Sequence, residues 1–549
     1  MKRIARLSQS GFLFDLLAVC AVIGIATGGL LLRARLPGVP LADGDTWGYL
    51  RPALNWLSGF GFEQTYGRDW LYPALLTGIL KVGGSFSAIT YTQRFLGLAS
   101  ILFYWLAWRS WLRLLPLQKP VWRWACLIVT LLLLALYALN VDQALLENTI
   151  RPDGMFAFFE LLYLHCLISF FLARWKWRRT GATVAFGAAT LGLSYAILLL
   201  KPSWGFSLVS TLLPMIAGTF GKATRIMRFG PLLAGAAAFA FLFFLPKILG
   251  FQKDSQLFLP CLLVCIHSEQ ILETTPETVP PGVHNPGVPD GIFHEELKKA
   301  YRTAREQPGG YPVLGFQSDY ILYISGFFPN IQRKEGWNDR ELAAACYSAY
   351  FQAWFQVPSA MLQKIAKQMT LFLFPRGGDF YSPGSTTELD KLATSRRSLP
   401  DSQLSLEVQR IYQSYKQSLE RVEADRSHPP GFPVLPRLAH LLALGTLWLQ
   451  FTFFAAITIV WLRPEGRPWR LAGSAVLSVL AAVYGNVLTV AVVNSLDVAR
   501  YRMGYAPVFL LGLAMIISYL LILVSEGFSR REQIGELQFA EAKPAQTPD

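Results

Sequence analysis

Gly11-Phe-Leu-Phe-Asp-Leu-Leu-Ala-Val-Cys-Ala-Val-Ile-Gly-Ile-Ala-Thr-Gly-Gly-Leu-Leu-Leu32 is followed, past Arg33-Ala-Arg35, by Leu41-Ala-Asp-Gly-Asp-Thr-Trp-Gly-Tyr49. The first stretch carries one charge, Asp15, in a run long enough to cross a bilayer core, which takes about 20 apolar residues. The second puts two carboxylates, Asp43 and Asp45, where that helix leaves the membrane. Structure alone gives little reason for acids at that place, whereas surface chemistry does. Other charged clusters follow: Glu147 with Arg151-Pro-Asp153, Lys201-Pro202, and Asp497 with Arg500-Tyr-Arg502.

The first run is retained rather than cleaved. It is longer than a signal-peptide core of about 7–15 residues, and Arg33-Ala-Arg35 is a poor cleavage site. Of the 549 residues, 53% are hydrophobic and 16% charged, against roughly a quarter charged in soluble proteins. Further apolar runs are expected as spans at about 88–107, 123–139, 154–173, 182–200, 203–220, 231–249, 438–461, 470–493 and 503–525. With the first, that makes about ten transmembrane helices in an all-α integral membrane protein.

The net charge of +14 does not point to nucleic acid. The basic residues fall in short loops between spans, among them Arg109/Arg113/Lys119/Arg123, Arg174/Lys176/Arg178/Arg179, Lys222/Arg225/Arg228 and Arg463/Arg467/Arg470. The positive-inside rule makes those loops cytoplasmic. Both termini are then cytoplasmic in a multi-pass protein of the inner (plasma) membrane, and every acidic cluster lies on the outer face.

Residues 1–249 read as a catalytic transmembrane module with a first outer loop at 34–87. That loop holds two interfacial helices, one at 47–58 with Trp47, Leu50, Leu54 and Leu57 on one face, and one at 71–82. Residues 250–437 contain no span and read as a mainly helical periplasmic domain, with helical patterns at 292–306, 338–373 and 403–425. Residues 438–525 are the last spans, and the polar 526–549 a disordered cytoplasmic tail. Cys20, Cys126 and Cys166 read as packing residues, and Cys261, Cys265 and Cys346 as buried thiols or disulfide partners. His267 and His294 read as packing or surface residues.

Asp45-Thr-Trp-Gly-Tyr49, with Arg68-Asp-Trp-Leu-Tyr-Pro73, resembles the first outer loop of the GT-C membrane glycosyltransferases, of the bacterial protein-mannosyltransferase and aminoarabinose-transferase kind. Arg151-Pro-Asp-Gly154 resembles their second outer-loop motif, and Asp497-Val-Ala-Arg-Tyr-Arg502 their Arg-Tyr motif. The resemblance implies transfer of a sugar from a polyprenyl phosphate-linked donor to an acceptor, and it includes a lysine at Lys201. Many members carry two adjacent acids in the first loop. Here Gly44 separates them, which leaves the second acid's role open, together with any divalent metal it would help hold. No residue is assigned to a metal, and no other cofactor is implied.

The chemistry points the same way. Attack on an anomeric carbon needs a base for the acceptor hydroxyl, and a carboxylate serves. A lipid phosphate leaving group needs cations, for which Arg68, Arg151, Lys201, Arg500 and Arg502 are candidates. Asp45 is the expected base, with Asp43 beside it, and Glu147, Asp153 and Tyr49 are candidates for the acceptor side. Each has a plainer reading: Asp45 as a helix N-cap, Asp43 as a solvated loop residue, Glu147 as an i,i+4 partner of Arg151, Asp153 as a cap behind Pro152, Lys201 as a snorkelling lysine, and Arg500 and Arg502 as membrane anchors. The expected partners are the lipid donor, an envelope acceptor of open identity and membrane lipids. A pyrophosphate-linked glycan polymerase or ligase, and a lipid-linked sugar transporter or flippase, are the alternatives.

Overall fold

The structure is a computed structural model that describes residues 2–65, 67–116, 120–251, 257–275, 287–308, 310–381, 399–400, 403–424, 432, 434–495 and 499–541. The elements up to residue 248 are α1 (Lys2–Ala34), α2 (Thr46–Leu57), α3 (Leu71–Gly83), α4 (Ser87–Leu112), α5 (Pro120–Ala138), α6 (Val141–Leu146), α7 (Asp153–Phe171), α8 (Thr180–Leu200), α9 (Phe206–Thr219) and α10 (Arg225–Ile248). Three more long helices, Leu435–Leu462, Arg467–Val493 and Ala499–Glu541, complete the bundle. No strand forms among the described residues, and the protein is an all-α integral membrane protein.

Nine of the described helices are long and apolar enough to cross a membrane, one fewer than expected. The exception is the run at 203–220. Pro202 opens a 3-10 turn over Pro202–Trp204, so α9 begins only at Phe206 and has 14 residues. At 1.5 Å per residue it covers about 21 Å of a core about 30 Å thick. It nevertheless returns the chain across the bundle. Neighbours along α8 and α10 rise together, Val184 by Gly230, Gly187 by Pro231, Leu191 by Gly235 and Tyr195 by Phe239, so the two helices are parallel. A segment joining parallel helices must cross back between them. Accordingly α9 starts against Ser194 (Ser207 Oγ to its carbonyl, 3.2 Å) and ends where Arg174 Nε donates to Gly218 O at 2.9 Å.

The bundle core is rich in buried aromatic residues, with Tyr104, Trp108, Trp111, Tyr137, Tyr163 and Tyr519 all inside. The face of α2 that carries Leu50 and Leu54 packs into this core, and Arg51 is exposed.

The region after α10 divides between two cores. Helices Phe258–Ile266, Ser268–Thr274, Gly291–Glu306, Phe327–Glu335 and Asp339–Gln356 enclose a separate apolar cluster around Val264, Phe293, Leu297, Ile331 and Ala349. Cys261, Cys265 and Cys346 are free thiols inside it, and Cys126 and Cys166 are also buried, whereas Cys20 is exposed on α1. His267 joins this cluster to the bundle, its Nε2 lying 2.8 Å from Val492 O, and His294 is buried. The helix Leu406–Ala424 belongs instead to the bundle core. Its Tyr415 stacks on Phe86 at 4.0 Å and donates to Pro40 O at 2.9 Å, which braces the loop between α1 and α2. At the carboxyl end the last helix runs on to Glu541, where the composition suggests an unstructured tail; residues 542–549 lie outside the described residues.

Candidate active site

The loops after α1 and α6 meet through the main chain. Leu41 N–H donates to Asn148 O at 2.6 Å, and Ile150 N–H to Leu41 O at 3.3 Å, an isolated parallel bridge in an otherwise helical fold. Arg94 clamps the pair, donating to Asn148 Oδ1 at 2.8 Å and to Pro37 O at 2.6 Å. This brings Arg151, three residues past Asn148, against Asp43.

The two acids then divide their tasks. Asp43 Oδ1 accepts from Asp45 N–H (2.9 Å) and Thr46 N–H (3.1 Å), and Thr46 Oγ1 accepts from Asp43 N–H (2.8 Å). Asp43 is therefore the buried residue that shapes the turn into α2, not a solvated loop residue. Asp45 holds the N-cap position, yet its side chain makes no capping bond. Its carboxylate instead takes Arg68 Nη2 at 2.6 Å, Arg500 Nη1 at 2.7 Å and Arg151 Nη2 at 3.2 Å. Arg151 Nε also contacts the second oxygen of Asp43. Arg68 lies along Gly48, where a Cβ would come within 3.2 Å of its Nε, and over the Tyr49 ring at 5.1 Å.

A second ion pair closes the group. Lys201, just past the end of α8, donates to Asp153 Oδ1 at 2.7 Å, with its ammonium 5.3 Å from the Tyr501 ring and 5.4 Å from the Phe156 ring. Lys201 is thus a largely covered, paired lysine rather than a snorkelling one. Asp153 is the first residue of α7 and points to that lysine, with Pro152 in the cap position.

The two loop acids differ electrostatically. Burial, and then the charge of Asp45, push the Asp43 carboxyl up to about 6, with Arg500 and the hydrogen bonds from Asp45 and Thr46 pulling the other way. Burial also works against ionisation of Asp45, but Arg500 and Arg68 outweigh it and hold that carboxyl below its ordinary range. Both carboxylates are largely ionised at neutral pH, and Asp43 takes up a proton first on acidification.

All of this faces one cavity of about 1450 Å³. Asp43, Asp45, Tyr49, Arg68, Arg151, Asp153, Lys201 and Arg500 line it, and Glu147 and Arg502 do not. Glu147 is withdrawn because Arg33, at the end of α1, reaches it first. Arg33 Nε donates to Glu147 Oε2 at 2.5 Å, both side chains are 1% exposed, and Gly97 leaves the room. The i,i+4 pair with Arg151 does not form, since Arg151 is drawn to Asp43 and Asp45. Asp497 lies outside the described residues.

Other lining residues have no signal in their local sequence. Tyr195, Leu199, Phe243, Pro246 and Phe251 form an apolar side wall, joined by Lys247. Asp319, Tyr311 and Tyr323 reach in from the outer region, and Asp69 follows Arg68. Glu160, seven residues after Asp153 on α7, is fully buried, and among the described residues nothing hydrogen-bonds either carboxylate oxygen. It escapes notice because it is one acid in an apolar run.

The donor set does not suit a divalent metal. Asp43 and Asp45 meet three guanidiniums, so a dication would face net positive charge and compete for both carboxylates. Among the described residues no group of three or more His, Cys, Asp or Glu is arranged to hold a metal ion.

No family model and no curated protein matches the chain. Among solved structures it is similar to the oligosaccharyltransferase of Archaeoglobus fulgidus in the apo form, at 15% identity and a TM-score of 0.40. It is also similar to the oligosaccharyltransferase AglB of that organism in complex with an inhibitory peptide and a dolichol-phosphate, at 14% identity and a TM-score of 0.39. Each alignment covers 97% of this chain and 53% of the other, so the chain spans about half the length of the structures it matches. A complex of the oligosaccharyltransferase with zinc and sulfate aligns over 75% of this chain and 59% of that one, at 15% identity and a TM-score of 0.28.

Proposed function

We propose that this protein transfers a sugar from a polyprenyl phosphate carrier to an envelope acceptor, a lipid, glycan or protein, on the outer face of a bacterial inner membrane. The observation that carries the reading is the carboxylate of Asp45, one-third exposed to the cavity and gripped by Arg68, Arg151 and Arg500. With Asp43 the group holds three cations and two anions, so an anion such as a phosphate is welcome there. Guanidiniums offer planar forks that match phosphate oxygens, and Lys201 adds a point charge. The apolar wall from Tyr195 to Phe243 leads from this charge to α10, whose Phe241, Phe244 and Ile248 are exposed on the outside. A polyprenyl chain fits that path.

In the proposed reaction Asp45 accepts the proton of the acceptor hydroxyl as its oxygen attacks the anomeric carbon. The bond from that carbon to the phosphate oxygen breaks, and polyprenyl phosphate leaves with its new charge facing the arginines and Lys201. A single displacement of this kind inverts the anomeric centre. Tyr49 and Asp153 border the space left for the acceptor. No nucleotide takes part, which suits a site on the side without nucleotide sugars.

The test is mass spectrometry of envelope lipids, glycans and proteins from a deletion strain and its complemented parent. The reading expects one glycosylated species to vanish and return with the gene, together with accumulation of its sugar-phosphoryl lipid. An unchanged envelope, with that lipid pool also unchanged, would sink it.

A further inference from the structure

We infer that Asp319, Tyr311 and Tyr323 form a sugar-ring subsite that binds the hydroxyls of the donor's sugar, an inference that rests on the transfer reading above. The three side chains face the cavity from the outer region, whereas the cations face it from the bundle loops.

The segment that carries them is built rigidly. Tyr311 and Phe316 form an antiparallel bridge, with Gly315 in the left-handed region at φ +78° to close the turn. Gln317 N–H then donates to Ala304 O at 3.0 Å, which ties the turn to the helix Gly291–Glu306. Phe316 and Ile321 are buried in the outer core as anchors. From Tyr320 to Ile324 the chain makes a π turn, a widened form frequent at functional sites. Asp319 stands at its start, but its side chain caps nothing. It accepts instead from the Tyr311 hydroxyl at 2.9 Å. Two residues past the anchor Ile321, Tyr323 remains 59% exposed, a large ring left uncovered at a cavity wall.

A carboxylate beside tyrosine rings is the chemistry of sugar recognition. The carboxylate accepts from neighbouring hydroxyls of a pyranose, the phenol hydroxyl supplies a further donor or acceptor, and the exposed ring takes the C–H face of the sugar. The same carboxylate repels a phosphate, so the two walls sort the two halves of a sugar phosphate. With the phosphate at Arg68 and Arg500, the attached ring extends toward this wall. Burial raises the Asp319 carboxyl, the Tyr311 hydrogen bond opposes it, and the charge of Asp45 adds to the rise. Asp45 and Asp319 line the same cavity, so the subsite and the reacting carbon share one space.

The experiment uses the full chain in nanodiscs and four probes: undecaprenyl phosphate, and undecaprenyl phosphate carrying glucose, mannose or galactose. Wild type should bind at least one sugar-bearing lipid about tenfold more tightly than the bare phosphate, the worth of one or two hydrogen bonds to a charged group. Asp319→Asn and Tyr323→Leu should each lose most of that gain, keep the affinity for undecaprenyl phosphate within about twofold, and melt as wild type does. Arg500→Ala should weaken all four ligands. A wild type that binds no polyprenyl phosphate would instead overturn the transfer reading. If wild type binds the bare and sugar-bearing lipids equally, or if the two variants keep the sugar preference or lose the bare phosphate in parallel, the subsite is overturned alone. A Tyr323→Leu protein that melts as wild type does gives the decision even where Asp319→Asn does not fold.

Discussion

Asp45→Asn separates the catalytic role from the structural one because the structure already separates them. Asn keeps the size and one acceptor oxygen for the guanidiniums but cannot take the acceptor's proton. Loss of a general base costs about 10²–10⁴ in rate. The stability cost is smaller. Removing one partner of a buried ion pair costs about 3–5 kcal/mol, but this carboxylate is 32% exposed, and Asn retains a hydrogen bond, so solvent screening reduces the loss to about 1–2 kcal/mol. No capping bond is lost, since Asp45 makes none. Asp43→Ala should behave in the opposite sense. It deletes the acceptor for the N–H groups of Asp45 and Thr46, at about 0.5–2 kcal/mol. The assay is the amount of envelope product in a deletion strain carrying each variant, normalised to folded protein in the membrane. Asp45→Asn should leave less than about 1% of product formation at near-normal protein level. Product near the wild-type amount would remove Asp45 as the base.

Arg500→Ala should lower transfer by about 2–4 kcal/mol of barrier, with Arg500→Lys recovering part of it. Arg502→Ala should stay within a few-fold of wild type, since Arg502 does not line the cavity; equal losses in both would favour a membrane-anchoring role. Because the Arg500 charge holds the Asp45 carboxyl down, Arg500→Lys should leave the acid limb of the activity profile nearly in place. Arg500→Ala should move that limb to higher pH. Asp43 gives a test in stability. Its carboxyl, raised from an ordinary 3.8 to about 6, favours the folded state when protonated. That contribution, at most about 3 kcal/mol, is complete below pH 4 and lost as pH rises through 6. The melting temperature of Asp43→Asn minus that of wild type should therefore rise between pH 4 and pH 6. A flat or falling difference would refute the raised carboxyl.

The spans were legible because burial in lipid is a matter of composition along about 20 residues. The exception, 203–220, has the composition but loses its first turn to Pro202, a local event that hydropathy does not see. Asp43, Asp45, Arg68, Arg151, Asp153, Lys201 and Arg500 were readable as charges at span ends, and the structure brings them to one cavity. Glu147 was read from its spacing to Arg151, but Arg33, 114 residues away, takes it, and spacing within a helix cannot report a competitor on another helix. Asp319, Tyr311 and Tyr323 were invisible for a related reason. A π turn has no sequence signature, and what makes the three notable is the wall they share with the loop that carries Asp45 and Arg68, more than 200 residues earlier in the chain.

The depth of the cavity bears on the alternative of a transporter. A transport path needs groups that face a common passage at mid-membrane and at both ends. The cavity wall reaches down to Tyr195 on α8, Thr489 on the helix Arg467–Val493 and Met503 on the last helix, each within about two turns of the end that carries the charged loops. Among the described residues none of the lining comes from the other end, where Arg174 is tied to Gly218 and Phe220. Glu160, the one acid midway along α7, is buried in packing and is not part of the wall. The ionisable groups of the wall are thus gathered near one end of the bundle, beside an apolar wall. A pocket lined by arginines beside an apolar wall suits a lipid phosphate held still while its sugar is removed, and among the described residues its ionisable lining stays near one end of the bundle.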